Sequence, residues 1–586
     1  MKTTPISTES LKAVLTQTGI KPLLTRVGLW TPAATAWRTF SGDPRQQPVN
    51  DDYKTFSRHY RFLSESAGRT SSSPRVLVIS LTDFVAQVKI ESLLAKALQL
   101  RGYTPVILTR KGCRSALRYY RVFGYSQFIV LEKYFQKQIP PEAVRQIDSL
   151  LTAPTFESVK AFCYRRIEIG RQALATAVHR LHQGNVSLTD PSVRAMVREL
   201  LYQGVRMAEA AQTIYDQVAP ALALVNDAMY VHVGAIFEEA LNRQIPVIQW
   251  VGSQRDDAMI LKRFDRETKR IHPCSLSEET WEMVQRSAWT SESEEELRRD
   301  FDERYVAKRW TSYYNQAYGS VKTREQVQQI LGLDPRKKTA VIFAHMLWDS
   351  TLFWGQDVFA DYEEWLVATV QAACANSNLN WVVKFHPANI WKLKRDRLGG
   401  EPIERKVLRE RLGQLPAHLT FLEADADLST FSLFEAADYC LTVRGTIGIE
   451  MAAFGVPVVT AGTGRYSGRG FTIDCTSQEE YLTRLARLHE LPRLTTAQRE
   501  LAKKYAHALF IRRPARFRTF EPTYKSLNEV GHPLDHNVAI HVSSFDELAA
   551  ASDLRAFAEW AIDSRDRDFL TDTDVKVTAP CAVSSV

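Results

Sequence analysis

The chain has 586 residues, of which 45% are hydrophobic and 24% charged, a composition typical of a globular protein with two or three domains. Its 75 Lys and Arg against 67 Asp and Glu give a mild net charge of +8. This charge suits anionic small ligands or an anionic membrane surface, and it argues against nucleic acid as a partner. The seven Cys are scattered without a CxxC pair, which indicates reduced thiols and argues against a zinc site.

The N-terminus, MKTTPISTESLKAVL, lacks the charged and then apolar pattern of a secretory signal. No stretch approaches the about 18–20 consecutive apolar residues that a membrane span needs. We therefore expect a cytoplasmic protein that can touch the inner face of the cytoplasmic membrane peripherally.

Residues 1–74 predict an irregular extension, and from residue 75 apolar runs typical of buried strands alternate with stretches of helical spacing. The strands are RVLVISL (75–81), TPVILT (104–109), QFIVLEKY (127–134), ALALVND (221–227) and IPVIQWVG (245–252). The helices are IESLLAKALQLRGY (90–103), most of 155–218 and the stretch through AIFEEALNRQ. Unbroken Val, Ile and Leu strands that alternate with helices are typical of a parallel sheet covered on both faces. Residues 75–325 therefore predict a Rossmann-like domain with a helical insertion.

A polar, charged and helical bridge over residues 275–325 leads to a second series of the same kind. Its strands are TAVIFAH (339–345), NWVVKFHP (380–387), HLTFLEA (418–424) and DYCLTV (438–443), and its helices are YEEWLVATVQAACAN (362–376) and STFSLFEAA (429–437). Residues 326–535 predict a second Rossmann-like domain, and 536–586 predict a C-terminal helix, DLRAFAEWAI, with a polar tail. Two doubly wound parallel sheets of this kind face each other across a cleft at the carboxyl ends of their strands.

The stretch TVRGTIGIEMAAFGVPVVTAG (442–462) predicts a strand, a tight turn, a short helix and another strand. In the turn Arg444-Gly445-Thr446, Gly445 permits close backbone approach and Thr446 can cap the helix. The helix N-terminus would favour a phosphate in the cleft. Glu450 lies one turn later on the same helix face, where it could accept hydrogen bonds from a ribose or sugar. The alternative is that Thr446 only caps the helix and Glu450 is a surface acid.

The strand VVKFHP ends at the cleft with Lys384 and His386, which lie on one strand face. A His at this edge can donate to a phosphate oxygen and offset the charge of a leaving nucleotide, which makes His386 a catalytic candidate. The loop GTGRYSGRGFT (462–472) can wrap a ligand, and Tyr466, Arg469 and Gly470 are its candidate binding residues. The alternatives are that His386 is only structural and that the loop 462–472 is a flexible surface turn.

Two further strand ends carry polar candidates. AHMLWDSTLFWGQD (344–357) offers His345 and Asp349, and its two tryptophans either join the core or stack on a base or sugar. SLTDFVAQVKIE (80–91) offers Asp83 as the base that an acceptor hydroxyl needs, although an acid at a strand end is often only a helix cap. We find no metal signature, P-loop, dinucleotide fingerprint or nucleophile elbow.

In their order and approximate spacing, VVKFHP, ADYCLTVRGTIGIEMAAFGVPVV and GRYSGRGFT resemble the C-terminal half of the capsular-polysaccharide biosynthesis family. This family includes the bacterial β-Kdo transferases that prime capsule chains. The likeness covers residues 325–475, while the N-terminal half shares only the alternation of strands and helices. The resemblance implies a GT-B glycosyltransferase whose second domain holds a nucleotide-sugar donor and whose first domain receives a capsular or lipopolysaccharide-type glycan or glycolipid.

The resemblance also implies roles for single residues. The family's His-Pro histidine, which contacts the donor phosphate, maps to His386, and its helix acid, which contacts the nucleotide or sugar, maps to Glu450. Replacement of either residue by Ala is expected to abolish transfer and leave the fold intact. GT-B enzymes usually need no bound metal, so we expect no metal and no other cofactor, and polysaccharide-assembly proteins are expected partners.

The chain departs from the family at the helix entry, where Arg444-Gly445-Thr446 replaces the Ser-Ser or Ser-Thr of many relatives. The CDP-glycerol polymerases of teichoic-acid synthesis share the Lys-x-His-Pro strand. The alternatives are therefore a CDP-alcohol phosphotransferase and a polysaccharide-assembly protein without catalysis. An isomerase of nucleotide sugars would need an acid and base set that the sequence does not show.

Overall fold

The computed structural model describes residues 46–65, 73–309, 319–396, 400–524 and 534–571. The first 45 residues of the predicted extension and the predicted polar tail after residue 571 lie outside the described residues. Within the described residues, no helix is both long enough and apolar enough to cross a bilayer.

A six-stranded sheet forms the first half of the molecule in the order β3-β2-β1-β4-β5-β6. Its strands are β1 Arg75–Ile79, β2 Thr104–Thr109, β3 Phe128–Val130, β4 Leu222–Val225, β5 Val247–Gly252 and β6 Met259–Phe264. The strands β1 to β5 are parallel, and β6 runs antiparallel to β5. Its helices are Gln46–His59, Val85–Leu100, Arg114–Val122, Pro141–Leu150, Phe156–Lys160, Ile169–Leu181, Pro191–Val218 and Gly234–Asn242.

The second half repeats this strand order, β12-β11-β10-β7-β8-β9, with all strands parallel. Its strands are β7 Thr339–Phe343, β8 Asn380–Lys384, β9 Leu419–Leu422, β10 Tyr439–Thr442, β11 Val458–Thr460 and β12 Ile473–Asp474. Its helices are Arg324–Leu331, Tyr362–Ala375, Ala388–Asp396, Ile403–Leu412, Ser432–Ala436, Ile447–Ala453, Gln478–Ala486 and Thr496–His507. Two Rossmann-like doubly wound sheets in one chain are the GT-B architecture, so the predicted fold class is confirmed.

Each sheet is covered on both faces because its strands are apolar throughout. In β1, Leu77 and Ile79 enter one hydrophobic cluster, while Val76 and Val78 enter the cluster on the other face. Side chains of successive strand residues point to opposite faces, so an unbroken apolar strand requires two layers of helices. The predicted bridge contains the helices Glu278–Arg286 and Ser291–Phe301, and a π-helical turn over Asp302–Val306 continues the second.

The C-terminal segment returns to the first half. The hairpin of β13 Phe520–Tyr524 and β14 His536–Ile540 is followed by the helices Phe545–Ala550 and Ser552–Ile562. Ala515, Phe517 and Phe557 belong to the same hydrophobic cluster as Val76 of β1. The chain therefore crosses back to the first sheet before residue 535, and the predicted boundaries at 74, 325 and 535 stay predictions.

Two local predictions are wrong, and one strand was missed. Residues 46–59, predicted to be irregular, form a helix that buries Val49 and Phe56. The predicted strand 127–134 keeps only Phe128–Val130 before a 3-10 turn. The antiparallel strand β6 was not predicted, because its sequence MILKRF carries two cations. Lys262 is buried and paired with Asp568, and Arg263 donates to backbone carbonyl oxygens such as that of Trp560.

Candidate functional site

Four chain segments meet at the cleft-facing edge of the second sheet. Strand β8 ends at Lys384 and continues to His386, and β7 continues to His345. The turn after β10 covers residues 443–446, and the loop after β11 covers residues 462–470. Parallel strands end at the same sheet edge, so the fold brings these predicted segments together.

Lys384 is a buried cation without a protein partner in the described part of the chain. It is 6% exposed and lies on the sheet face that Val382 and Ile449 cover. Its ammonium group makes no hydrogen bond or ion pair with the described residues, whereas buried charges in proteins are normally paired. Burial lowers the pKa of Lys384 to about 8, so the group is still largely protonated at neutral pH. An anionic ligand group could supply the missing charge.

His386 presents one ring nitrogen to the same edge. The backbone N–H of Ala388 donates to Nδ1 at 3.1 Å, which places the ring proton on Nε2. Burial, followed by the charge of Lys392, lowers the pKa of His386 to about 4, and Asp349 opposes this shift. The imidazole is therefore neutral at pH 7, and Nε2–H is a donor that can face a ligand oxygen.

His345 holds the turn after β10 in place. Its Nε2 accepts from the backbone N–H of Val443 at 3.2 Å and lies 3.0 Å from Thr442 Oγ1. That hydroxyl accepts from the N–H of Gly445 at 3.1 Å, and a Cβ on Gly445 would lie only 2.9 Å from it. Burial, followed by the charge of His386, lowers the pKa of His345 to about 3. This histidine positions the turn as a neutral group.

Arg465 is a site candidate that the sequence analysis missed. Its charge lowers the pKa of both His345 and His272, so its guanidinium lies within electrostatic reach of both rings. In the described part of the chain, its guanidinium has no hydrogen bond or ion pair, and its Nε is buried. The loop sequence GTGRYSGRGFT offers two arginines, and no spacing rule tells which of them turns inward.

Arg444 and Arg469 are engaged by protein groups. The Arg444 guanidinium pairs with Asp357 and donates to the carbonyl oxygens of Trp354 and Gln356. Arg469 makes two contacts of 2.6 and 2.7 Å with Glu278 of the bridge. In this structure both cations are neutralised by carboxylates of the chain and hold loops together, and their predicted contact with a donor stays a prediction.

Glu450 faces the bridge. Its Oε1 accepts from Arg304 at 2.6 Å, its Oε2 accepts from Tyr305 at 2.8 Å, and the residue is 3% exposed. Asp300 shares the same arginine at 2.8 Å. Both carboxylate oxygens are thus used within the protein, so the structure gives Glu450 a structural contact where the sequence predicted a ligand contact or a surface acid.

The remaining predicted residues build the walls of the turn and loop. Tyr466 donates to the carbonyl of Gly445 at 2.8 Å, and a Cβ on Gly448 would lie 2.2 Å from its hydroxyl. Thr446 has helical dihedral angles and no side-chain cap bond, so its predicted capping role is wrong. Gly470 lies at φ +84°, a left-handed conformation that only glycine adopts readily, and a Cβ there would approach Leu501 rather than Lys384.

The segment after His345 crosses to the first half. Trp348 and Trp354 are 2% and 4% exposed in a hydrophobic cluster with residues of the first sheet, so the tryptophans belong to the core. The Trp348 ring lies 4.5 Å from that of His182. Asp349 pairs with Lys392, and its charge influences the pKa of His386. Asp349 therefore lies beside the site and is neutralised by a lysine.

The first half contributes carboxylates at the facing edge. Asp83 follows β1, and its Oδ1 accepts from the backbone N–H of Ala116 at 2.7 Å, so it does cap the helix Arg114–Val122. Desolvation raises the pKa of Asp83. Asp227, after β4, was not predicted; burial raises its pKa, and the charge of Asp349 from the other half adds to the shift.

A polar cavity of about 420 Å³ opens at the seam between the halves, away from Lys384. It is lined by Lys160, Cys163, Glu168, Arg171, Arg270 and Gln356, among others. Within the described ranges, no group of three or more His, Cys, Asp or Glu side chains is arranged to hold a metal ion.

No protein-family model matches the chain, and no curated protein matches it in sequence. Among solved structures, a β-Kdo 2,4-transferase, KpsC of Thermosulfurimonas dismutans, is 12% identical with a TM-score of 0.30, over 56% of this chain and 88% of that one. Anabaena HepE in complex with UDP-glucose is 11% identical with a TM-score of 0.25, over 78% and 97%. A UDP-GlcNAc 2-epimerase of Neisseria meningitidis, bound to UDP-GlcNAc, is 12% identical with a TM-score of 0.25, over 74% and 97%. At such low identity the likeness concerns the fold alone.

Proposed function

We propose that the protein is a glycosyltransferase that moves a sugar from a nucleotide-sugar donor to a cell-surface glycan or glycolipid of the capsular or lipopolysaccharide type. The observation that carries the proposal is Lys384, a buried cation at the cleft edge with no partner among the described residues. His386, two residues later, and Arg465, which lies within electrostatic reach of His345, add two donor groups. This arrangement fits the phosphates of a nucleotide, which are anionic and accept several hydrogen bonds.

In the proposed mechanism, Lys384 and Arg465 bind the donor phosphates through charge-assisted hydrogen bonds. Negative charge grows on the phosphate oxygen as the bond to the sugar breaks. The Nε2–H of His386 donates to that oxygen and stabilises the leaving nucleotide. Because the imidazole is neutral, the donor hydrogen bond does not depend on pH between about 5 and 8. No metal is required in this scheme, since cations of the chain hold the phosphates.

The acceptor binds at the first half in this proposal. Asp83 is the proposed base that removes the proton of the attacking hydroxyl, because a carboxylate with a raised pKa is better suited to that task. Asp83 is exposed, so an acceptor hydroxyl can approach its carboxylate although Oδ1 accepts from the backbone N–H of Ala116. The acceptor itself would be presented at the inner face of the cytoplasmic membrane.

The test begins with ligand binding. Purified protein is screened by thermal shift against CMP, CDP, UDP, GDP and dTDP and their sugars, and the best ligand is repeated with His386→Ala and His418→Ala. His418 precedes β9 at the opposite sheet edge, where its ring contacts the carbonyl of Ala373. We expect binding to weaken only in the His386 variant. No response to any nucleotide would contradict a donor site and favour an assembly protein without catalysis.

Donor turnover then separates the reaction classes. We expect hydrolysis or transfer from a nucleotide sugar that persists in EDTA. Complete loss of activity in EDTA would overturn the metal-free mechanism, and a phosphodiester in the product would show an alcohol phosphotransferase instead.

A further inference from the structure

Nearly all the net positive charge of the chain lies in one short segment of the first half. Residues 92–131 contain seven Lys and Arg and no Asp or Glu, so this segment carries +7 of the net charge of +8. Two of the seven are used internally: Lys96 is buried, and Arg101 pairs with Asp563. The other five are Arg110, Lys111, Arg114, Arg118 and Arg121, which we call the basic stripe.

The basic stripe is continuous in space. Arg114, Arg118 and Arg121 are spaced so that they share one face of the helix Arg114–Val122. The opposite face of this helix buries Ala116 and Tyr120. The loop from the end of β2 to the helix adds Arg110 and Lys111, and all members except the half-buried Arg118 are exposed.

No carboxylate of the described residues neutralises the basic stripe through an ion pair. Two acids that contact this segment accept from its backbone: Asp83 accepts from the N–H of Ala116, and Glu132 accepts from the N–H of Lys111 at 2.7 Å. Arg118 donates to the amide oxygen of Asn50 at 2.8 Å. Apart from the electrostatic influence of Asp83 on Arg110, the stripe therefore presents its charge to its surroundings.

Helix stability does not account for the position of these cations. Arg114 is the first residue of its helix, and Arg110 and Lys111 lie just before it. Cations near a helix N-terminus oppose the helix dipole and destabilise the helix. Their arrangement at this end is better explained by an anionic partner that approaches from outside.

We propose that the basic stripe docks the first half on an anionic lipid membrane. The stripe residues do not line the polar cavity at the seam between the halves, and their exposed helix face suits a broad surface better than an enclosed small ligand. Clusters of Lys and Arg are attracted by the negative surface potential of anionic lipids. Arg110 also lies within electrostatic reach of Asp83, so docking would bring the acceptor edge of the cleft to the lipid surface. The inference deepens the proposed function by naming the surface that meets a lipid-linked acceptor.

The test is co-sedimentation of the full chain with vesicles of phosphatidylcholine, with and without phosphatidylglycerol. The variant is Lys111→Gln, Arg114→Gln and Arg121→Gln together. Its matched control is Arg286→Gln, Arg336→Gln and Arg487→Gln, which removes the same charge from side chains that are 79%, 87% and 72% exposed. Each cation at an anionic surface adds about fivefold to partitioning, so the stripe variant should bind roughly 100-fold more weakly. The control should bind like the unmodified protein, and added salt should release both.

Equal vesicle binding by the stripe variant and the unmodified protein would overturn the proposal, as would absence of binding by the unmodified protein. Stripe-dependent binding to heparin without binding to anionic vesicles would also overturn it, in favour of a soluble anionic glycan. Melting temperature and the nucleotide-sugar thermal shift are measured on every variant. Loss of vesicle binding with an unchanged nucleotide response supports docking, while absence of any nucleotide response contradicts only the donor site.

Discussion

The buried charge of Lys384 lowers the stability of the folded protein. A pKa reduced from 10.5 to about 8 corresponds to about 3 kcal/mol of unfavourable burial. Replacement of Lys384 by the apolar Met, which is similar in shape, should therefore raise the melting temperature, since it removes a buried cation that has no partner among the described residues. The same change should weaken nucleotide-sugar binding about 10- to 100-fold, because a hydrogen bond to a charged group contributes about 1.5–3 kcal/mol. Calorimetry and thermal melts measure both quantities on Lys384→Met.

Lys338→Met is the matched control, since Lys338 precedes β7 at the opposite edge and contacts Tyr439 Oη at 2.9 Å. Lys338→Met should not combine a higher melting temperature with weaker nucleotide-sugar binding. A Lys384→Met protein that binds the donor normally would remove Lys384 from the site.

The pKa of Lys384 also sets the pH dependence of donor binding. Below about 8 the ammonium is charged, and above about 8 it loses its proton and its attraction for phosphate. Donor affinity of the unmodified protein should therefore be level from pH 6 to 7.5 and fall as pH rises further. In Lys384→Met this fall should disappear, and titration calorimetry across this range is the measurement.

The two arginines of the 462–472 loop provide a matched pair. Arg465→Gln should weaken donor binding about 10-fold or more, because its guanidinium has no partner among the described residues and can meet a phosphate. Arg469→Gln should leave binding unchanged, since that side chain is paired with Glu278. Equal losses in both variants would place both arginines in the site, and a loss in Arg469→Gln alone would return Arg469 to the site and remove Arg465.

The candidate site was predictable from sequence only in part, for a physical reason. Lys384 and His386 lie at the end of a strand, and the backbone register of β8 with β7 determines their positions. Which of Arg465 and Arg469 turns inward depends on partners distant in sequence, such as Glu278. Likewise, Glu450 has a sequence position suited to the cleft, but Arg304 in the bridge captures it.

At the scale of elements, the bridge and the helix Ile447–Ala453 are joined by this buried network. Arg304 lies between Asp300 and Glu450, and Tyr305 donates to the other oxygen of Glu450. Glu450→Ala leaves a buried guanidinium with one carboxylate fewer and a buried hydroxyl without its acceptor. We expect a loss of about 3 kcal/mol in unfolding free energy, measured by urea denaturation.

The matched control is Glu435→Ala, on the exposed side of the helix Ser432–Ala436, which should cost little. The sequence-based expectation for Glu450→Ala was an intact fold with transfer abolished. Unchanged stability together with lost nucleotide binding would restore that expectation and the ligand role of Glu450.

The elements that the sequence predicted well are the parallel strands with apolar residues on both faces, such as β1, β2 and β8. An element was missed where its buried charge is neutralised by a residue distant in sequence. In β6, Lys262 is 0% exposed because Asp568, some 300 residues later, neutralises it at 2.7 Å. A local pattern cannot contain that partner, so an alternating or cationic strand of this kind is recognised only from the folded chain.

At the scale of the whole molecule, Asp568 connects the C-terminal segment to β6 and to the start of the bridge. Its Oδ1 contacts Lys262 of β6 and Arg513, each at 2.7 Å, and its Oδ2 accepts from the N–H of Ser277 at 2.7 Å. All three charged side chains are fully buried. The C-terminal segment, β6 and the start of the bridge therefore share one carboxylate.

Asp568→Ala should lower the unfolding free energy by about 3–5 kcal/mol, because it leaves two buried cations without their acid. The exposed neighbour Asp566→Ala is the control and should change little. Adding Lys262→Met to Asp568→Ala should recover part of the loss, since one of the two unpaired charges is then absent. Simple loss of packing would predict no recovery, so an additive double variant would contradict the electrostatic account.

Lys262 gives the same network a pH signature. Burial lowers its pKa from 10.5 to about 8, so between these values the unfolded chain binds more protons than the folded one. Unfolding free energy of the unmodified protein should therefore rise, relative to Lys262→Met, as pH increases from 8 to 10.5, and the difference should be constant below 8. Urea denaturation of both proteins across this range measures the difference. If the difference in unfolding free energy between the two proteins does not change from pH 8 to 10.5, Lys262 keeps its ordinary pKa. The ion pair with Asp568 would then fully offset the cost of removing the ammonium from water.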